Sequence, residues 1–212
     1  MIRNILCYGD SNTFGYMPGT GERYPSDIRY PGRLQKLLGN EYHVIEEGCC
    51  GRTTLYDDPS DGWQSGLDDL RTCLDMYQPV HLVILMLGTN DLKTAFHLNA
   101  EQIAESAGKL VDAIQSFVFK KQNFMPQIIL VSPPEIGPNI RNSPFCWAFS
   151  QMAAEESKRF PVFYKAVADR KNCLFVNAAE YVSPSETDSL HLTAEGHGKL
   201  AAALYDVITN HK

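Results

Sequence analysis

Apolar and polar positions follow one another in blocks along this chain, and the blocks switch between two periods. Residues 2–8 form a short apolar run that reads as a strand. Residues 31–38 carry apolar positions at helical spacing, with Pro31 in the first turn and Gly39 at the exit. Residues 42–46 are a shorter, partly polar strand candidate. The run VHLVILML at 80–87 is the strongest strand, continuous rather than alternating, as expected where helices cover both faces of a parallel sheet. Asn99 and Gln102 then make a capping-box start for a long helix, with Ile103, Ala107, Leu110, Val111, Ile114 and Phe117 on one face.

Residues 127–132 are the next strand, stopped by Pro133 and Pro134. Ser143 and Pro144 open a helical region predicted to reach about Arg170, broken or kinked at Pro161. Residues 173–176 make a last short strand, and Thr193 caps a closing helix through about Ile208, with Ala201, Leu204 and Val207 facing inward. Strands separated by helices along the whole length predict an α/β fold: one domain over residues 1–212, built on a parallel, doubly covered sheet.

Composition narrows the function classes. The 212 residues are 44% hydrophobic, enough for a substantial core, and the formal net charge of -6 carries no basic stripe for nucleic acid. The apolar start is too short for a signal-peptide core or a membrane span, so a cytoplasmic location with no membrane partner is expected. Six cysteines (7, 49, 50, 73, 146 and 173) show neither metal-ligand spacing nor the pattern of a secreted disulfide scaffold. With no Cys-x-x-Cys and no His-Glu-x-x-His, neither a metal nor a cofactor is expected.

Four polar islands stand out against this background: Gly9-Asp10-Ser11-Asn12, Gly51, Gly88-Thr89-Asn90-Asp91 and Asp188-Ser189-Leu190-His191. Each follows a predicted strand, and in a parallel α/β sheet the loops at the carboxyl ends of the strands converge. Taken singly, each has an ordinary explanation. Gly-Asp-Ser is a common turn, Asn90 suits an Asx turn, Gly51 is a loop glycine, and an Asp-x-x-His pair is frequent in loops.

Only an acyl transfer uses the whole set. Ser11 attacks, His191 takes and returns its proton, and Asp188 orients the imidazole. The N–H groups of Ser11 and Gly51 and the Asn90 amide receive the oxyanion. Asp10 and Asp91 read as supporting acids that bond loop N–H groups and position Ser11 and Asn90. A competing reading gives those two acids a magnesium ion for phosphoryl transfer, but it lacks a second aspartate beside Asp10 and leaves His191 idle. A non-catalytic binding module would have no use for the set at all.

The four blocks resemble the SGNH, or GDSL-type, hydrolases, whose Ser, Gly, Asn and His correspond here to Ser11, Gly51, Asn90 and His191. The stretches IRYPGRLQKLLG, VIEEGCCGRTTLYDDP, LVILMLGTNDLK and VSPP are similar to the bacterial arylesterase/acyltransferase subgroup. That resemblance covers essentially the whole chain. It implies a flavodoxin-like α/β/α sandwich with strand order 2-1-3-4-5, metal-free ester hydrolysis, acyl transfer to alcohols in some members, and a homo-oligomer. The sequence departs from the family pattern at Asn12 (for leucine), Cys50 (for serine) and Ser189 (for glycine), and none of these removes a catalytic group.

Residues 13–29, 56–63 and 133–147 show no helical period and are expected as loops around the site. Trp63, Phe145 and Trp147 are candidate acyl-pocket walls, with core or subunit packing as the ordinary alternative for each. A small-molecule ester, with a short acyl group favoured by the lack of a lid-like insertion, is the expected substrate. A sugar acetate would suit the same machinery.

Overall fold

Alternation along each strand divides the apolar residues between two faces, and this division organises the molecule. The structure is a computed structural model that describes residues 2–58 and 65–210. Its strands are β1 (Arg3–Gly9), β2 (Tyr42–Gly48), β3 (Leu82–Met86), β4 (Gln127–Ser132) and β5 (Leu174–Asn177). All pair in parallel, in the order β2-β1-β3-β4-β5. In β1, Leu6 and Tyr8 point to one face, and Ile5 and Cys7 to the other. β3 is buried along its whole length, the signature of a central strand covered on both sides.

Helices fill both faces. α2 (Tyr30–Leu38) and α7 (Ala194–Asn210) pack against each other and on the Ile5, Cys7, Ile84, Ile129 and Val131 face. α3 (Gly66–Met76), α4 (Ala100–Gln115) and α6 (Phe160–Arg170) cover the Leu6, Tyr8, Val83, Leu85 and Leu130 face. A four-residue helix, α1 (Ser11–Phe14), follows β1, and a short α5 (Gln151–Ser157) precedes α6. Helix caps sit where the sequence places them. The Asn99 and Gln102 capping box forms in full, and the Thr193 hydroxyl accepts the Gly196 N–H at 3.1 Å.

Two segments differ from the sequence reading. α3 goes unpredicted because its buried stripe is only Gly66, Leu70, Cys73 and Leu74, set among Asp68, Asp69, Arg71 and Asp75. Residues 143–150 are turns rather than helix. The Ala148 carbonyl is taken by the Thr94 N–H at 2.9 Å, while Phe149 is folded into the core. The helical region therefore begins at Gln151, and its break falls just before α6, whose first turn contains Pro161.

The contact between α2 and α7 carries a titratable group. His197 is buried, and its Nδ1 accepts the N–H of Tyr30, one of the donors a helix leaves unpaired in its first turn. Burial lowers the His197 pKa from the usual 6.5 to about 4. Its contribution to stability is thus complete above pH 6.5 and is lost as pH falls toward 4, because the unfolded chain binds a proton that the folded one refuses. We expect the stability advantage of wild type over His197→Asn to shrink by roughly 2–3 kcal/mol between pH 7 and pH 4. Paired urea titrations at the two pH values measure it. A difference that does not change with pH would contradict the assignment.

Candidate active site

The order β2-β1-β3 reverses the direction of strand addition between β1 and β3, which opens a crevice at their carboxyl ends. Ser11 lies two residues beyond β1, and Asn90 follows β3 through Gly88 and Thr89. Ser11 is the first residue of α1, so its N–H is among the donors with no acceptor inside the helix. Gly9 sets this turn through lack of space rather than through an unusual dihedral. A Cβ there would stand 2.0 Å from the Thr13 hydroxyl and 2.7 Å from the Met86 carbonyl oxygen. Gly51 does need glycine's freedom: its φ is 79°, in the left-handed region.

The fourth island comes from the opposite end of the chain and meets the first. His191 Nε2 is 2.9 Å from Ser11 Oγ, and Nδ1 is 2.8 Å from Asp188 Oδ2. Asp188 Oδ1 accepts the N–H groups of Leu190 and His191, each at 3.0 Å. Burial opposes the Asp188 charge, but the hydrogen bonds and charge of His191 and the two backbone donors outweigh it. Its pKa lies below the ordinary carboxylate value. An ionised Asp188 only accepts, so Nδ1 carries the proton and the Nε2 lone pair faces the serine hydroxyl. Ser189 holds this turn at φ 59°, doing with a side chain what glycine does without strain. Its N–H and C=O are both engaged, with Ser185 O and Gly137 N, at 2.7 Å each.

Asn90 is divided between two duties. One N–H of its amide donates to the Arg52 carbonyl at 3.1 Å, and the second is available to the cavity it lines. The loop carrying Gly51 is pinned from below by Arg52. Its buried guanidinium donates to the carbonyls of Gly9 (3.0 Å) and Glu47 and lies over the Tyr8 ring. Asp10 accepts the Asn12 N–H at 2.9 Å, which caps the turn that carries Ser11. Asp91 accepts the Thr54 N–H at 3.0–3.1 Å as well as its hydroxyl. It therefore ties the loop after Gly51 to the turn that carries Asn90 and Asp91 itself. Burial is the main cause pushing both acids up to about pKa 6.

A cavity of about 240 Å³ opens over these groups, lined by Ser11, Gly51, Asn90 and His191 on the polar side and by Phe145, Trp147, Phe149 and Leu190 on the apolar side. Cys50 also lines it, and burial pushes its thiol up to about 11. Of the three candidate walls, Phe145 and Trp147 line the cavity, while Trp63 lies outside the described residues. Tyr16 went unremarked in the sequence, yet its ring stacks on the His191 imidazole at 4.0 Å between centroids. Phe145 meets the same imidazole edge-on at 5.1 Å. Lys93, on the same wall, is buried and paired with Asp58. Among the described residues, no group of three or more His, Cys, Asp or Glu side chains could hold a metal ion. Nor is any described helix long and apolar enough to cross a membrane.

A Ser–His–Asp chain at the carboxyl edge of a parallel sheet is the equipment of a serine hydrolase. The protein belongs to the GDSL-like lipase/acylhydrolase family, whose sequence profile matches residues 7–199, and with it to the carboxylic ester hydrolases. Among solved structures it is similar to a carbohydrate acetylesterase from Sinorhizobium meliloti, with 36% identity and a TM-score of 0.92 over 99% of this chain and 100% of that one. It is also similar to the M. smegmatis aryl esterase, with 32% identity and a TM-score of 0.92 over 98% and 99% of the two chains. A second S. meliloti structure, of a carbohydrate acetylesterase family member, matches with 32% identity and a TM-score of 0.92 over 99% and 98%. No curated protein matches the sequence.

Proposed function

We propose that this chain, as one catalytic domain, hydrolyses small, short-chain carboxylic esters through a covalent acyl-enzyme on Ser11. The observation that carries the proposal is the continuous chain from Asp188 through His191 to Ser11, at 2.8 and 2.9 Å. His191 Nε2 takes the Ser11 proton as Oγ bonds to the ester carbonyl carbon. The carbonyl oxygen becomes an oxyanion received by the N–H groups of Ser11 and Gly51 and by the remaining N–H of Asn90. Collapse breaks the bond to the alcohol oxygen, which leaves with the proton from His191. Water, or a second alcohol in an acyl transfer, then attacks the acyl-enzyme by the same route in reverse.

The size of the cavity supports the substrate class. Its volume of about 240 Å³ lies below the 300–1,000 Å³ usual for sites that enclose drug-sized ligands. A space of this size suits an acetyl or propionyl group with a compact alcohol better than a long lipid chain. Similarity to both aryl esterase and carbohydrate acetylesterase structures supports two alcohol classes, aryl and sugar. The six unpaired cysteines favour a reducing compartment such as the cytoplasm. Resemblance to the arylesterase/acyltransferase subgroup favours a homo-oligomer.

A matched series of p-nitrophenyl esters, together with acetylated xylo-oligosaccharides, tests the substrate proposal. We expect kcat/KM to be highest for acetate or propionate and to fall at least about tenfold by octanoate, since excess methylenes find no room. Preference for octanoate would contradict it. Higher kcat/KM on the sugar acetates than on the aryl acetate would select the carbohydrate reading.

A further inference from the structure

Asn12 stands directly after the nucleophile, where the family pattern has leucine, and its side chain is buried. It reaches across to the other end of the chain. Its Oδ1 accepts the N–H of Leu192 at 3.0 Å, and its Nδ2 donates to the carbonyl of Leu190 at 3.5 Å. Those two main-chain groups flank His191 on either side.

Apart from the His191–Ser11 contact itself, the other hydrogen bonds of the histidine loop among the described residues run elsewhere. Ser185 N donates to the His191 carbonyl, Ser189 N donates to Ser185 O, and Gly137 N donates to Ser189 O, each at 2.7 Å. Asp188 braces the loop from within. None of these bonds refers the loop to α1. The Asn12 side chain does, and its own backbone N–H is held by Asp10 at 2.9 Å.

We propose that Asn12 is a positioning residue that clamps the His191 loop to the nucleophile turn and so sets the register in which Nε2 meets Ser11 Oγ. The proposal rests on the reading of Ser11 and His191 as the reacting pair. Leucine at this position could fill similar volume but would leave the Leu192 N–H without its acceptor, and the loop would be free to drift relative to α1. Displacements near 1 Å between reacting groups cost on the order of a hundredfold in rate.

The test compares wild type with Asn12→Leu and Asn12→Asp. It measures kcat and KM on p-nitrophenyl acetate, the rate constant for phosphonylation of Ser11 by a fluorophosphonate, and the melting temperature. Asn12→Leu is expected to lower kcat and the phosphonylation rate together by roughly ten- to a hundredfold, with KM within about threefold of wild type. Asn12→Asp keeps the acceptor for the Leu192 N–H and is expected to recover at least half of that loss on a logarithmic scale.

Two results would overturn the proposal. One is an Asn12→Leu protein with kcat within about twofold of wild type. The other is equal impairment of both variants with a parallel fall in melting temperature, which would mark a packing role alone. If Asn12→Leu does not fold, Asn12→Ala takes its place with the same expectations. Ser11→Ala, run on the same substrate, separates the two levels. If it is inactive while Asn12→Leu is fully active, only the clamp fails; if it is active, the catalytic reading fails with it.

Discussion

Replacing Ser11 by alanine is expected to lower kcat on p-nitrophenyl acetate by roughly 10⁵–10⁶-fold, the scale on which loss of a triad nucleophile is felt. The fold should survive, because the structural duties of residue 11 are carried by its backbone. Its carbonyl accepts the N–H groups of Gly15 and Tyr16 at 2.9 and 3.0 Å, and its hydroxyl contacts only His191 among the hydrogen bonds of the described residues. Circular dichroism and melting temperature close to wild type, beside the lost turnover, are the combined expectation. Activity retained within tenfold would mean that the ester is cleaved by another route.

Asp188→Asn is expected to cost about 10⁴ in kcat, with a distinct cause. Two N–H donors, from Leu190 and His191, point at the inner oxygen of this side chain. An asparagine must keep its carbonyl oxygen there, which turns its NH₂ group toward His191 Nδ1. The imidazole then carries its proton on Nε2 and cannot accept one from Ser11. Flipping the amide would set an NH₂ group against two N–H donors, a larger penalty than the tautomer change. Steady-state kinetics with a melting curve read the effect. A loss under tenfold would show that tautomer control at Nδ1 is not what Asp188 contributes.

Both expectations rest on contacts whose members were visible in the sequence as residue types but not as distances. Ser11, Gly51, Asn90 and the loop of His191 could be placed at strand ends because the strand periods were clear, and a parallel α/β sheet gathers its carboxyl ends on one edge. Val83, Leu85 and their neighbours in β3 are apolar without interruption, so that strand could hardly be misread. α3 is hard to see because about three turns of helix with few buried positions leave a weak period. Residues 143–150 form turns where the sequence predicts helix, with the Ala148 carbonyl taken by a tertiary bond from the Thr94 N–H.

What supports the site was less legible than the site. The partner of Asp91 is Thr54, thirty-seven residues away, and no local spacing announces such a bond. Tyr16 looks like a loop aromatic until the fold lays it on His191. Asn12 reads in sequence as a neutral departure from the Gly-Asp-Ser-Leu pattern, yet its side chain bonds Leu192 across 180 positions of sequence. Side chains that act through long-range contacts leave little trace in local pattern, whereas reacting groups are constrained to a few residue types by their chemistry.

If the acyl-enzyme forms on Ser11, the same oxygen is the one that a phosphorus electrophile must find. The most direct measurement is peptide mass spectrometry after inactivation by a fluorophosphonate, in which a serine oxygen bonds to phosphorus and fluoride leaves. One adduct per chain, on the peptide carrying Ser11 and accumulating in step with the loss of activity, is the predicted result. Full inactivation with the adduct on another residue, or full activity with Ser11 modified, would contradict it.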